Sequence, residues 1–169
     1  MIAVLDAAYS DMASAVACVT AQGWRDARPL DEIVLRRGPQ KAYASGEFYR
    51  RELPLLLGAL KKLNAPPSVV VIDGYVWLDA NGRGGLGAHL YEELGQGAAV
   101  VGVAKTRFAG AHAFAEQVMR GKGSSPLYVT AAGIEADEAA AHVRQMHGEH
   151  RIPMLIALAD RLARQALKA

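Results

Sequence analysis

The sequence lacks several features that would assign it to common classes of protein. It contains one cysteine among 169 residues, Cys18, which excludes an intrachain disulfide and a cysteine-rich zinc site. No apolar run is long enough to cross a bilayer. The N-terminus has neither the basic start nor the long apolar segment of a signal peptide. We therefore expect a cytoplasmic protein with no membrane partner.

The charge of the chain is also modest, with a formal net charge of +2 at pH 7 and a pI of 8.8. Such a balance admits an anionic partner without requiring one. The sequence contains no internal repeat, low-complexity tract or linker, and its length is typical of one domain with a sizeable core. We therefore predict a single domain over residues 1–169, while the oligomeric state stays unknown.

Hydrophobic periodicity predicts an α/β domain with a mixed β-sheet flanked by helices. Three closely spaced strands near the N-terminus favour an antiparallel meander, and a further hairpin is expected within residues 113–129. The predicted strands are residues 2–6, 12–20, 32–37, 69–73 and 98–105, and the predicted helices are residues 46–63, 86–94, 135–146 and 153–168. Pro54 lies inside the first helix, which we expect to kink there or to begin near Leu53.

Four carboxylates occupy positions where an isolated charge is costly. Asp6 and Asp73 each end a predicted apolar strand, and Glu52 and Asp160 lie on apolar helix stripes. If the two strands are parallel neighbours, both strand-end acids meet at one sheet edge, where α/β proteins form their sites. A hard divalent cation such as Mg²⁺ would relieve the repulsion among them. The four acids are therefore a candidate metal site, although each one alone is also typical of an exposed or capping acid.

Seven segments of the chain match, in order, the motifs of one enzyme family. Two of them are the apolar run that ends in Asp73-Gly74 and the Gly-Val-Ala-Lys segment that ends at Lys105. The matching segments are residues 4–10, 43–57, 69–74, 86–90, 100–107, 124–133 and 151–163. On these segments the chain resembles the endonuclease V family. The resemblance implies a ribonuclease H-like sheet and a metal-dependent DNA-repair endonuclease, a hydrolase of phosphodiester bonds in deaminated, inosine-containing DNA or RNA.

The resemblance also implies roles for individual residues. Asp6, Glu52 and Asp73 correspond to the family's catalytic acids, and Lys105 corresponds to a lysine at the scissile phosphate. Together with Asp160, the three acids would bind Mg²⁺ or Mn²⁺. The residues implied in substrate binding are Tyr43 in the loop that wedges into the nucleic acid, Gly46, Gly74, Trp77 and His89.

The sequence departs from the family pattern at three places. The wedge contains Ala42-Tyr43-Ala44-Ser45 in place of Pro-Tyr-Ile-Pro, and Asp160 replaces a histidine. Val76 and Trp77 stand where the family has small residues. We expect these side chains to narrow or reshape the base pocket, or Trp77 to stack on the base. Weak preference for inosine is the expected consequence.

Two alternative functions remain open at this point. One is a ribonuclease H-like nuclease of different specificity, which the altered pocket loop suggests. The other is a catalytically silent nucleic-acid-binding module, which is favoured by the altered wedge and by the lack of the N-terminal segment that family members usually carry. The retained acids argue against a silent module, because clustered carboxylates are costly without a use.

Overall fold

The computed structural model describes residues 1–39, 48–111 and 113–168, and its centre is a mixed β-sheet. The strands are β1 (Ile2–Tyr9), β2 (Ser14–Ala21), β3 (Asp31–Arg37), β4 (Val69–Asp73), β5 (Ala99–Ala104), β6 (Glu116–Val118) and β7 (Leu127–Ala132). The helices are α1 (Phe48–Leu60), α2 (Leu86–Glu93), α3 (Ala136–Gln145) and α4 (Met154–Lys168). The strand order across the sheet is β3-β2-β1-β4-β5-β7-β6.

The pairing directions follow from the lengths of the connections. The short connection after β1 permits only an antiparallel hairpin with β2, and Ser10 N–H donates to the Ala13 carbonyl in its turn at 2.8 Å. In contrast, β1, β4 and β5 are parallel neighbours, and the crossovers between successive parallel strands need a helix. The helix α2 lies in the crossover between β4 and β5, and α1 precedes β4.

Each face of the sheet carries its own hydrophobic cluster, because successive side chains of a strand point to opposite faces. One cluster packs α1 and α2 on the sheet and includes Leu56, Ile72 and Leu90. The other packs α3 and α4 on the opposite face and includes Val4 and Leu155. In the described parts of the chain, no helix is both long enough and apolar enough to traverse a bilayer.

The predicted elements are confirmed with boundaries within three residues, apart from two differences. The strand β1 continues to Tyr9, three residues beyond Asp6, so the turn that was expected to begin at residue 7 begins at Ser10. The helix α1 spans Phe48–Leu60 and continues through Pro54, so a start near Leu53 is wrong. The apolar contacts of this helix with the sheet outweigh the hydrogen bond that a proline cannot donate.

Gly87 in the first turn of α2 is packed too closely for a larger residue. An added Cβ would lie 2.7 Å from Cγ2 of the fully buried Val76 and 3.2 Å from Cδ1 of Ile72. We expect Gly87→Ala to lower the free energy of unfolding by about 1–3 kcal/mol, as overpacking does. Val76→Ala in the same chain should restore part of this loss by removing Cγ2, as measured by urea denaturation.

Gly58 provides the control, since it also lies inside a helix but has room. The nearest atom to an added Cβ there is 3.8 Å away. Gly58→Ala should leave stability unchanged or raise it by up to about 1 kcal/mol through helix propensity. Equal losses at Gly58 and Gly87 would contradict the close contact assigned to Gly87.

Candidate active site

The register of the sheet brings Asp6 and Asp73 to the same edge. The ladder between β1 and β4 ends with Leu5 opposite Ile72, and the two aspartates follow directly on their strands. Continuing this register places Asp6 opposite Asp73 on strands about 4.8 Å apart. The condition set by the sequence, that the two strands be parallel neighbours, is therefore met.

Lys105 directly follows β5, the strand next to β4, and it neutralises Asp73. Its Nζ donates to Oδ2 of Asp73 at 2.7 Å, with both side chains about one-third exposed. Burial lowers the pKa of Lys105, but the hydrogen bond and the charge of Asp73 outweigh it and hold that pKa above its ordinary value. Lys105 therefore stays protonated beside the acids, as a residue that contacts a phosphate must.

Asp6 is one of the two buried acids of the group. Its side chain is 7% exposed, and its buried Oδ2 has no hydrogen-bond partner in the described structure. Burial raises the pKa of Asp6 to about 7, the charges of Asp73 and Asp160 add to this, and Lys105 opposes it. A proton or a cation must therefore accompany Asp6 at its buried position.

Glu52 approaches the same acids from α1, which packs on the face of the sheet opposite to α3 and α4. It is also 7% exposed, and burial raises its pKa to about 8, with contributions from the charges of Asp6 and Asp73. The adjacent Arg51 lowers this pKa, and its guanidinium lies 3.9 Å from the centroid of the Tyr9 ring. Like Asp6, Glu52 therefore holds a proton more readily than an exposed glutamate does.

Asp160 completes the group from α4. It accepts a hydrogen bond from Nε of Arg164 at 2.9 Å, one helical turn further along the chain. It also raises the pKa of Asp6 through its charge and through a hydrogen bond between the two side chains. Because two carboxylates share a hydrogen bond only when one holds a proton, this contact is a place where a cation can replace that proton.

The donor chemistry of the four acids fits a hard divalent cation. All of the donors are carboxylate oxygens, and Oδ2 of Asp6 is buried without a partner. Among residues 1–39, 48–111 and 113–168, however, no three acidic, histidine or cysteine side chains already converge as a metal site. Asp73 is paired with Lys105 through Oδ2, and Asp160 is paired with Arg164 through Oδ1.

A cavity of about 580 Å³ opens beside the acids on the side of α1 and α2. Its walls are mostly apolar and aromatic, and Glu52 and Asp73 lie at its margin. The lining residues are Phe48, Tyr49, Glu52, Asp73, Gly74, Tyr75, Leu78, Arg83, Gly84, Gly85, Leu86, His89 and Phe108. Two of the residues expected in substrate binding, Gly74 and His89, are among them. Gly74 has φ +126°, a conformation that favours glycine, and His89 stacks on Tyr49 with ring centroids 3.7 Å apart.

Val76 and Trp77 are not among the described residues that line this cavity. Val76 is fully buried in the core, and its N–H donates to Oγ1 of Thr130 at 2.8 Å. The indole N–H of Trp77 donates to the Ala131 carbonyl at 2.8 Å. Both interactions hold the loop after β4 against β7.

Two residues expected in substrate binding, Tyr43 and Gly46, lie outside the described residues. Several aromatic residues that line the cavity were not predicted from the sequence. Tyr75 follows Gly74 directly, and its hydroxyl accepts the Phe108 N–H at 3.0 Å and donates to the Thr106 carbonyl at 2.8 Å. Because Tyr75 directly follows Gly74, the last residue of a segment that matches the family, the sequence could have indicated that Tyr75 lies near the site. Phe108 lies in an irregular loop and carried no periodic signal.

Comparison with known proteins agrees with this geometry. The profile of the Endonuclease V family matches residues 1–131. An endonuclease V from Streptomyces avermitilis is 31% identical over 97% of this chain and 79% of its own length. A crystal structure of the endonuclease V from that organism has a TM-score of 0.78 at 26% identity, covering 99% of this chain and 81% of the other.

The fold is also shared with Ciona intestinalis endonuclease V. That enzyme was crystallised with a 24mer DNA containing an inosine followed by a ribo-adenosine, and its TM-score is 0.81 at 20% identity. The alignment covers 99% of this chain and 85% of the other. The predicted ribonuclease H-like fold class is thereby confirmed.

The raised pKa values of Asp6 and Glu52 predict that the metal-free protein loses stability as the pH rises. Each folded carboxyl binds its proton more tightly than the unfolded chain does. The stabilising contribution is fully present below the ordinary values of 3.8 and 4.5, and it is lost as the pH rises through about 7 and 8. Urea midpoints in EDTA should therefore fall between pH 5 and pH 8.5.

Substitutions test whether these two carboxyls cause the decrease of the urea midpoint with pH. Asp6→Asn and Glu52→Gln should each make this decrease smaller, because neither amide titrates in this range. Asp11→Asn, in the exposed β1–β2 turn, should leave it intact. If the urea midpoint decreased equally in all three variants between pH 5 and pH 8.5, other groups would be responsible for the decrease.

Proposed function

This chain belongs to the endonuclease V family and is an endonuclease, and from this premise we propose that it cleaves nucleic acid at a deaminated base such as inosine, using Mg²⁺ or Mn²⁺. One observation carries the proposal. Asp6 and Asp73 follow the last paired residues of two adjacent parallel strands, with Glu52 and Lys105 beside them and an open cavity next to them. This arrangement supports hydrolysis of a phosphodiester beside a bound base.

The proposed metal ligands are Asp6, Glu52, Asp73 and Asp160. When bound there, Mg²⁺ or Mn²⁺ would polarise the phosphate and make water a stronger nucleophile. The all-oxygen donor set supports these hard ions over zinc, which favours nitrogen and sulfur ligands. Because Asp6 and Glu52 have raised pKa values, ion binding would displace protons from them.

The protein's own side chains hold the phosphate and the water in place. Lys105, which is paired with Asp73 in this structure, would donate to a phosphate oxygen and stabilise the charge that develops there. Glu52 lies between the acids and the cavity, where its carboxyl can orient the attacking water. The water oxygen then bonds to phosphorus, the bond from phosphorus to the leaving 3′ oxygen breaks, and a proton passes to that oxygen.

The cavity supports recognition of an extruded base. Its volume of about 580 Å³ accommodates a purine, and its aromatic walls suit stacking. Since neither Val76 nor Trp77 is among the described residues that line it, their size gives no reason to expect a weak inosine preference in this cavity. The Ciona intestinalis relative, crystallised with inosine-containing DNA, supports the same class of substrate. We therefore propose that a deaminated base occupies this cavity.

Asp73→Asn should abolish cleavage while the fold is retained. The substitution keeps the shape of the side chain but removes a charge that both the ion and Lys105 require. We expect the cleavage rate to fall at least about 100-fold, a loss typical of removing one electrostatic group from an active site. Single-turnover assays with Mg²⁺ measure the rate, circular dichroism checks the fold, and Asp11→Asn is the exposed-acid control. Cleavage at the wild-type rate would rule out the role given to Asp73.

Phe108→Ala should reduce the preference for inosine more than it reduces cleavage. The ring lines the cavity, is 42% exposed and stands beside Tyr75, so its removal leaves the core intact. Loss of one stacking contact costs about 1–3 kcal/mol, or roughly 5- to 150-fold in relative binding. Competition between matched strands with and without one inosine, at fixed salt, measures this ratio.

The control for Phe108 is Met119→Ala, another exposed large apolar residue, which lies outside the cavity lining. This variant should bind both strands as the wild type does. An unchanged inosine preference in Phe108→Ala would refute the placement of the base against this wall.

A further inference from the structure

Arg151, in the connection between α3 and α4, joins three backbone carbonyls near the acids. Its Nε donates to the Ser125 carbonyl at 2.9 Å, and its Nη2 donates to the Pro126 carbonyl at 2.8 Å. The same Nη2 also donates to the carbonyl of Lys105. Arg151 thus connects the residue that directly follows β5 with the segment that directly precedes β7.

The contact between Arg151 and the Lys105 carbonyl lies just beyond the end of the ladder between β5 and β7. The antiparallel ladder between β5 and β7 ends with Ala104 opposite Tyr128, so Lys105 is the first residue beyond it. On the other side of Lys105, the hydroxyl of Tyr75 holds the Thr106 carbonyl at 2.8 Å. The carbonyl of Lys105 itself is bound by Arg151. The direction in which the lysine stem leaves the backbone therefore depends on this guanidinium.

We propose that Arg151 is a positioning residue for Lys105. It fixes the backbone from which the Lys105 side chain reaches Asp73 and, on the proposed function on which this inference rests, the scissile phosphate. The guanidinium presents its donors in a rigid planar fork, whereas the ammonium of a lysine is a compact charge on a flexible stem and does not reproduce that arrangement. Arg151 is half-buried and contacts only backbone in these three bonds, so it acts through Lys105 and not on the substrate.

Arg120 is a matched control within the same part of the fold. Its guanidinium also donates to two backbone carbonyls of the α3–α4 connection, those of Met146 and Gly148, each at 2.7 Å. It is buried more deeply than Arg151, at 8% exposure, but neither of these bonds reaches β5 or Lys105. Loss of Arg120 loosens the connection without releasing the carbonyl of Lys105.

The first measurement is a double-mutant cycle on single-turnover cleavage. Lys105→Ala should slow cleavage, and Arg151→Ala should slow it about tenfold or more, since small displacements of a catalytic group are costly. In the Lys105→Ala background, Arg151→Ala should add less than about twofold, because its effect passes through the lysine. Arg151→Lys should not restore the rate. The KM for the strand should change less than about twofold in all Arg151 variants.

Arg120→Ala should lower the melting temperature at least as much as Arg151→Ala and leave the rate within about twofold of wild type below that temperature. Multiplicative losses in the cycle with Lys105, or an equal loss of rate in Arg120→Ala, would overturn the inference while leaving the nuclease assignment intact. If Lys105→Ala cleaves as the wild type does, the role of Lys105 in the proposed function fails instead.

The second measurement does not depend on cleavage. The ion pair with Asp73 should give the Lys105 ammonium a nitrogen NMR signal distinct from those of exposed lysines, assigned by its loss in Lys105→Arg. That signal should merge with the others in Arg151→Ala and Arg151→Lys and persist in Arg120→Ala. Its persistence in both Arg151 variants would overturn the inference, even for a protein that cleaves none of the strands tested.

Discussion

The parallel pairing of β1 with β4 is the constraint on which the whole site depends. It sets Asp6 beside Asp73, and neither acid can move away without shifting the register of the buried residues behind them. A one-residue slip would turn each core side chain to the opposite face. The core therefore holds two like charges together, and the surrounding residues compensate for them. Lys105 does so for Asp73, and a proton or a cation does so for Asp6.

The candidate site contains residues from both faces of the sheet, and these residues meet at one edge of the sheet. Asp160 comes from α4 on one face, whereas Glu52 and the cavity belong to the face covered by α1 and α2. Asp73 lines the cavity and also pairs with Lys105, so it is the residue that both parts share. In the proposed function, Asp73 would therefore link the place where the base binds to the place where the bond is cleaved.

The sequence predicted the parts of the structure that follow from periodicity. Apolar runs located the strands, and the positions of Asp6 and Asp73 at the predicted strand ends indicated that they meet if the strands are parallel neighbours. The strand β1 continues to Tyr9, so Asp6 is not its last residue, but the pairing of β1 with β4 stops at Leu5. The sequence carries less information where a position depends on distant residues. Val76 and Trp77 lie in an irregular loop that is held by bonds to Thr130 and Ala131, more than fifty residues away. No local pattern encodes those bonds, and the same is true of the contacts made by Arg151.

The distribution of charge also explains how the fold holds the four acids without an ion. Asp73 and Asp160 each have a cation from the chain itself, Lys105 and Arg164. The other two acids, Asp6 and Glu52, have raised pKa values and can keep a proton near neutral pH. Each carboxylate is therefore compensated by a lysine, an arginine or a proton that an ion can displace. In the proposed function, an ion bound by these acids would displace protons and ion pairs within a sheet that is already formed, in contrast to small domains that fold only around their metal.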